Sequence, residues 1–182
     1  VADVIYNPLR TRLCLQAAEL GIPACNGLLM LTAQAAAAEY AFGAAVPGEE
    51  TVLQVYRELL TERRNLVFIG MPGSGKTTIG RLTAQRMGRE FLDCDEEYLL
   101  EYGISPEEEL LTHGELYFRE REEALIRKIA PRTGCVIAAG GGSILREENR
   151  AALRENGLLC WLQRPLELLP TEGRPLSIDL PE

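Results

Sequence analysis

Residues 66–77 read LVFIGMPGSGKT. A short apolar run closes on a glycine, and the octet GMPGSGKT (70–77) follows without a gap. The octet fits G-x-x-x-x-G-K-[ST], set between a predicted strand and a helix predicted over 76–88. Gly70, Gly73 and Gly75 let the backbone curl until its N–H groups point inward at phosphate oxygens. The helix that begins near Lys76 adds its positive end. Lys76 is then placed to reach β- and γ-phosphates, and the Thr77 hydroxyl to hold Mg²⁺. This pattern binds a nucleoside triphosphate, but GTPases, ATPases and small-molecule kinases share it, so the acceptor has to be read elsewhere.

Outward from the loop, apolar runs alternate with helix-compatible stretches. EFLDCD (90–95), CVIAAG (135–140) and LLCWL (158–162) read as three further strands, separated by helices over 106–130, with interruptions, and 147–156. Continuous apolar strands between helices suit a parallel sheet covered on both faces. The expected fold is therefore α/β, with ligands at the carboxyl ends of the strands. Before Asn65 the texture changes. AQAAAAEYAFGAA (33–45) and EETVLQVYRELLTERR (49–64) read as helices parted by VPG (46–48), and Val52, Val55, Tyr56, Leu59 and Leu60 recur at helical spacing. No linker composition separates this arm from the rest, so the boundary near Asn65 is tight.

The chain has 182 residues, enough for one domain and an addition. Its net charge of −8, without a basic stripe, argues against a nucleic-acid partner. No apolar run approaches bilayer length, and no signal pattern opens the chain. Five cysteines (Cys14, Cys25, Cys94, Cys135, Cys160) lie far apart among mostly apolar neighbours, with no zinc spacing. They read as buried, reduced thiols, and a cytoplasmic address follows.

Three stretches could serve the acceptor. In LDCDEEY (92–98), Asp93 and Asp95 are two apart, so on a strand both would point at the crevice. One could hold Mg²⁺ and the other orient an acceptor hydroxyl; alternatively the stretch is an acidic strand end entering a solvated helix. In GELYFREREEAL (114–125), Phe118, Leu125 and Ile129 form an apolar stripe with Arg119 beside it. Glu115 and Glu123 each lie four residues from Arg119, so a surface ion-pair ladder competes with a guanidinium fork that grips an anionic substrate, and taken locally the ladder is the simpler reading. In AAGGGSIL (138–145), Gly140, Gly141 and Gly142 at a strand end invite close approach by a ligand. His113, the single histidine, is placed in a loop and given no role.

Taken together, GMPGSGKT, DCD, FRERE, GGG and the later GRPLS resemble shikimate kinase over residues 66–182. The resemblance implies a P-loop fold of the nucleoside-monophosphate-kinase type that moves the γ-phosphoryl of ATP to the 3-hydroxyl of shikimate, a step toward chorismate. ATP would be held by Gly70, Met71, Pro72, Gly73, Ser74, Gly75, Lys76, Thr77 and Thr78, with Arg174 as the lid arginine over its phosphates. Thr77 and Asp93 would serve the metal. Asp95 would bind shikimate hydroxyls and act as base, Arg119 would grip its carboxylate, and Gly140–Gly142 would contact the ring. Lys76, Asp95 and Arg174 would carry the chemistry. A gluconate kinase or a non-catalytic nucleotide-binding module are the alternatives.

The first forty or so residues resemble the carboxyl end of shikimate dehydrogenase, through DVIYNPLRT (3–11) and NGLLMLTAQAA (26–36). There Tyr6 and Gln34 would face substrate and Gly27 would lie near the NADP nicotinamide; Leu29 stands where that family usually has glycine. That family's catalytic Lys/Asp pair and dinucleotide loop are absent, so no dehydrogenase activity is expected of this arm, and NADP belongs only to a complete dehydrogenase. The expected organisation is a dehydrogenase remnant with its connecting helix over 1–64 and a kinase domain over 65–182, as in a bifunctional fusion. The kinase part is expected to lack a fifth strand and a second substrate arginine, leaving this piece weakly active or inactive.

Overall fold

The computed structural model describes residues 1–43, 45, 47–165 and 167. Among them the sheet has four parallel strands: β1 (Asn65–Ile69), β2 (Phe91–Asp93), β3 (Val136–Ala138) and β4 (Gly157–Trp161), in the spatial order β2-β3-β1-β4. β1 therefore lies inside the sheet. Phe68 pairs in register with Ala138 on one side and Cys160 on the other, which explains why the run is apolar on both faces.

Alternation along β1 sends Val67 and Phe68 to opposite layers. Val67 joins Leu92, Ile137 and Leu153 with Phe118, Leu125, Ile126 and Ile129 of helix α7 (Glu115–Ile129). Phe68 joins Val136 and Ala84 of helix α4 (Lys76–Met87). The apolar stripe read at Phe118, Leu125 and Ile129 is the buried face of α7.

All four strands end at one edge, and the loops that leave that edge hold the glycine loop, the acid pair and the triple glycine read from the sequence. Helix α5 (Cys94–Tyr102) starts directly from β2 because Asp93 caps it, its side chain accepting from the Asp95 N–H. β2 is thus shorter than expected, stopping at Asp93. The stretch 106–130 is two helices: α6 (Pro106–His113), begun by a Ser105/Glu108 capping box with proline in its first turn, and α7, with Gly114 at φ +83° between them. His113 closes α6 and is not a loop residue. Helix α8 (Glu147–Asn156) matches its expected range.

The amino-terminal segment holds α1 (Arg12–Glu19), which was not foreseen, α2 (Leu28–Ala41), which starts five residues earlier than expected, and α3 (Glu49–Arg63). α2 packs on α3 and α1 on α8. The buried Asn156 amide pins the segment: its oxygen accepts from Leu9 N–H at 2.8 Å and its nitrogen donates to Ala130 O at 3.3 Å. Arg10 N–H adds a bond to Glu155 O at 2.8 Å. All five cysteines are free, but only Cys14, Cys94 and Cys135 are buried; Cys25 is exposed, in the connection between α1 and α2 where it bridges to Ala2. Among the described residues, no helix is long and apolar enough to cross a membrane.

Candidate active site

The chain leaves β1 at Gly70, where a Cβ would come within 2.6 Å of Leu162 O. It curls through Met71, Pro72 and Gly73 and enters α4 through Gly75 at φ +97°, a conformation that suits glycine. Lys76 Nζ folds back on this curl, donating to Gly70 O at 2.9 Å and Met71 O at 3.0 Å. Burial lowers the Lys76 pKa, while Asp95 and Asp93 act against that shift. Ser74 Oγ is buried inside the loop without a partner among the described residues, a polar atom that a ligand oxygen would satisfy. Thr77 Oγ1 donates to Asp93 Oδ2 at 2.7 Å, and Thr78 follows at the surface.

The acid pair reaches the crevice by a different route from strand alternation. Asp93 ends β2 and Asp95 lies in the first turn of α5, so the capping turn, not a common strand face, brings the carboxylates together. Enclosure by the crevice walls raises the Asp95 pKa, the neighbouring Asp93 adds to it, and Lys76 opposes both. Asp95 nonetheless remains open to the water of the crevice.

Arg119 is not on a surface ladder. Its side chain is 9% exposed; Nη1 donates to Glu122 Oε2 at 2.8 Å and Nε to Glu115 Oε1 at 3.3 Å. Glu123 turns instead to Arg127 and Arg146. Burial raises the pKa of the Glu122 carboxyl, against the lowering effect of Arg119. Arg119 Nη2 has no partner among the described residues. Sequence reasoning missed Glu122, although its i+3 spacing from Arg119 was visible.

The triple glycine lies among these groups. A Cβ on Gly140 would sit 3.1 Å from Glu122 Oε1 and 3.3 Å from Asp95 Oδ1; one on Gly141 would sit 2.7 Å from Pro72; one on Gly142 would sit 2.3 Å from Arg119 Nη2. Ser143 Oγ bonds Gly140 O at 2.7 Å and Asn149 bonds Ser143 O at 2.9 Å, which holds the turn rigid. The resulting crevice, of about 610 Å³, is lined by Lys76, Thr77, Asp93, Asp95, Arg119, Glu122 and Gly140–Gly142. Glu107 and Leu110 of α6 and Arg164 line it too, and none of these was singled out from sequence. A second hollow, of about 570 Å³, lies between α1 and α8 and holds neither the glycine loop nor the acid pair.

Three expected positions are elsewhere. Tyr6 and Gln34 are exposed on the amino-terminal segment and Gly27 is buried there, its N–H donating to Ile5 O at 2.9 Å; none lines the crevice. Arg174 lies outside the described residues.

A family model for shikimate kinase matches residues 72–174, more than half of the chain. The chain belongs to the shikimate kinase family. Among the family's curated relatives, shikimate kinase of Caldicellulosiruptor bescii is 41% identical over 118 residues, which is 62% of this chain and 69% of that protein. That of Symbiobacterium thermophilum is 42% identical over 110 residues, 60% and 63% of the two chains. Across such relatives the chain spans between about half and about two thirds of their length. Among solved members of the family, shikimate kinase from Acinetobacter baumannii in complex with shikimate superposes with a TM-score of 0.57 at 35% identity, covering 60% of this chain and 62% of that one. Shikimate kinase from Aquifex aeolicus gives 0.54 at 27% identity, covering 62% and 73%.

Proposed function

We propose that this chain phosphorylates the 3-hydroxyl of shikimate from ATP. The observation that carries the reading is the meeting, around Gly140–Gly142, of a phosphate loop, a crevice acid and a buried arginine with a free donor. Phosphoryl transfer needs alignment and charge neutralisation more than covalent help. Backbone N–H groups of 73–78 and Lys76 hold the polyphosphate; Lys76 exchanges its carbonyl partners for charged phosphate oxygens, which are stronger acceptors. Arg119, held by Glu122, offers Nη2 to the substrate carboxylate. Asp95 then faces the ring hydroxyls, and its raised pKa suits a group that accepts a proton as the hydroxyl attacks. Bound shikimate in the related Acinetobacter baumannii enzyme supports this acceptor.

Thr77 and Asp93 place two hard oxygen ligands in mutual contact beside the loop. No cluster of three or more acidic, histidine or cysteine ligands occurs among the described residues. That sparse donor set fits Mg²⁺, which keeps several waters and takes substrate phosphates as ligands. Bound there, Mg²⁺ would neutralise phosphate charge; the protein's part is the orientation of Thr77 by Asp93. Arg174 is proposed as the lid arginine on the strength of the GRPLS resemblance.

Residues 1–64 are read as a dehydrogenase remnant with its connecting helix, and 65–182 as the kinase domain. The separation of Tyr6, Gly27 and Gln34 from the crevice supports a remnant with no part in the transfer. Five free cysteines fit a cytoplasmic address.

The test is ADP release with Mg·ATP and shikimate, alongside shikimate binding by calorimetry, with gluconate as the competing acceptor. Shikimate-dependent turnover abolished by Lys76→Ala and Asp95→Asn is the expected result. ATP binding with no response to shikimate, or a preference for gluconate, sinks the acceptor assignment.

A further inference from the structure

Arg164 is a cation of the crevice that the mechanism above does not use. It sits three residues past β4, at a point the sheet holds firmly. Leu162 N–H donates to Ile69 O at 2.8 Å, so the ladder with β1 runs beyond the strand itself. Leu162 O in turn lies against Gly70, the first residue of the phosphate loop. Pro165 follows, and a residue before proline is confined to extended backbone. The main chain at 164 is therefore aimed, while its side chain is exposed.

The guanidinium lies on the loop. Arg164 Nη1 donates to Gly73 O at 3.1 Å, and Arg164 lines the same crevice as Lys76 and Thr77. Its charge is unmatched among the described residues: no carboxylate pairs with it, whereas Arg119 is tied to Glu122 and Glu115, and Lys76 faces Asp95 and Asp93. A triphosphate brings several negative charges to a loop whose single lysine is already balanced by two acids. A guanidinium fork matches phosphate geometry, and a charged oxygen is a better acceptor than a neutral carbonyl. Lys76 rests on loop carbonyls in the same manner.

We propose that Arg164 is a further polyphosphate-binding cation beside Lys76, which leaves Gly73 O to contact the phosphates of the bound nucleotide from the β4 side of the loop. The proposal rests on the nucleotide-binding reading of that loop.

Calorimetry on this chain with ATP, adenosine and inorganic tripolyphosphate tests it, comparing Arg164→Ala, Arg164→Lys and Lys76→Ala with the unsubstituted protein. Arg164→Ala weakens ATP and tripolyphosphate alike, by roughly tenfold or more, as loss of one charge-assisted contact implies. It leaves adenosine binding and the melting temperature unchanged, because the side chain is exposed, and Arg164→Lys recovers part of the loss. If Arg164→Ala binds ATP normally while Lys76→Ala does not, the inference falls and the functional reading stands. Weakened adenosine with undisturbed tripolyphosphate would mean that Arg164 serves the base, which also overturns it. ATP binding untouched by Lys76→Ala would overturn the nucleotide reading and the inference with it.

Discussion

Arg119 Nη1 and Glu122 Oε2 lie 2.8 Å apart, one turn of α7 from each other, with both side chains more than nine-tenths buried. This pair aims the guanidinium at the crevice and supplies its counter-charge. Glu122→Ala strands a buried cation, with Glu115 as its remaining partner. The expected loss is about 3 kcal/mol of stability, read from urea unfolding, together with a raised KM for shikimate. Unchanged stability would mean that Arg119 re-solvates freely.

Gly142 tests the seat of that guanidinium. A methyl group there meets Arg119 Nη2 at 2.3 Å, and the obstacle is the end of a flexible side chain, not backbone. Gly142→Ala therefore displaces the guanidinium without breaking the turn. KM for shikimate rises and the melting temperature falls, because Nη1, the atom paired with Glu122, would lie 2.6 Å from the same methyl group, while ATP binding is unaffected.

Asp95 costs the fold stability at neutral pH. Its folded-state pKa is raised, by enclosure first and by Asp93 second. A raised carboxyl means that the folded state binds protons more tightly than the unfolded one, so stability falls as pH rises through the ordinary carboxylate range and beyond. Asp95→Asn removes that cost. The variant should lose turnover yet melt higher than the parent at pH 7, and the gain should vanish as pH falls below the ordinary aspartate value. Melting curves at several pH values decide it; a variant destabilised at pH 7 would contradict the sign.

Asn156 is the clasp of the amino-terminal segment. Asn156→Ala leaves Leu9 N–H and Ala130 O without their side-chain partner inside the protein. The expected cost is about 1–3 kcal/mol, with faster proteolysis of residues 1–26 than of the sheet. Equal protection of both would show that the α1–α8 contact alone holds the segment.

Much of this was legible from local pattern. The run at 66–70, the octet after it and the stripe at Phe118, Leu125 and Ile129 announced a buried strand, a glycine-rich curl into a helix and a helix face, because periodicity and glycine placement are properties of neighbouring residues. Asp93 and Asp95 do line one crevice, but not through the strand alternation expected of them, since a capping side chain ended β2 sooner than its apolar content suggested. Arg119 was misjudged locally. Spacing to Glu115 and Glu123 says which residues can meet on a helix, but not that α7 turns Arg119 inward to Glu122 while Arg146 draws Glu123 away.

By itself the sequence determined the α/β class, the parallel strands, the glycine-rich loop between strand and helix, and the residues that resemble an acceptor site. Tertiary structure decided that β3 lies between β1 and β2, which brings Gly140–Gly142 between the loop and the acid pair. It also decided that Glu122 holds Arg119 and that Arg164 comes to rest on Gly73. The reason is physical: local propensity fixes elements, whereas burial, charge partners and reach depend on residues that meet only when the sheet has assembled.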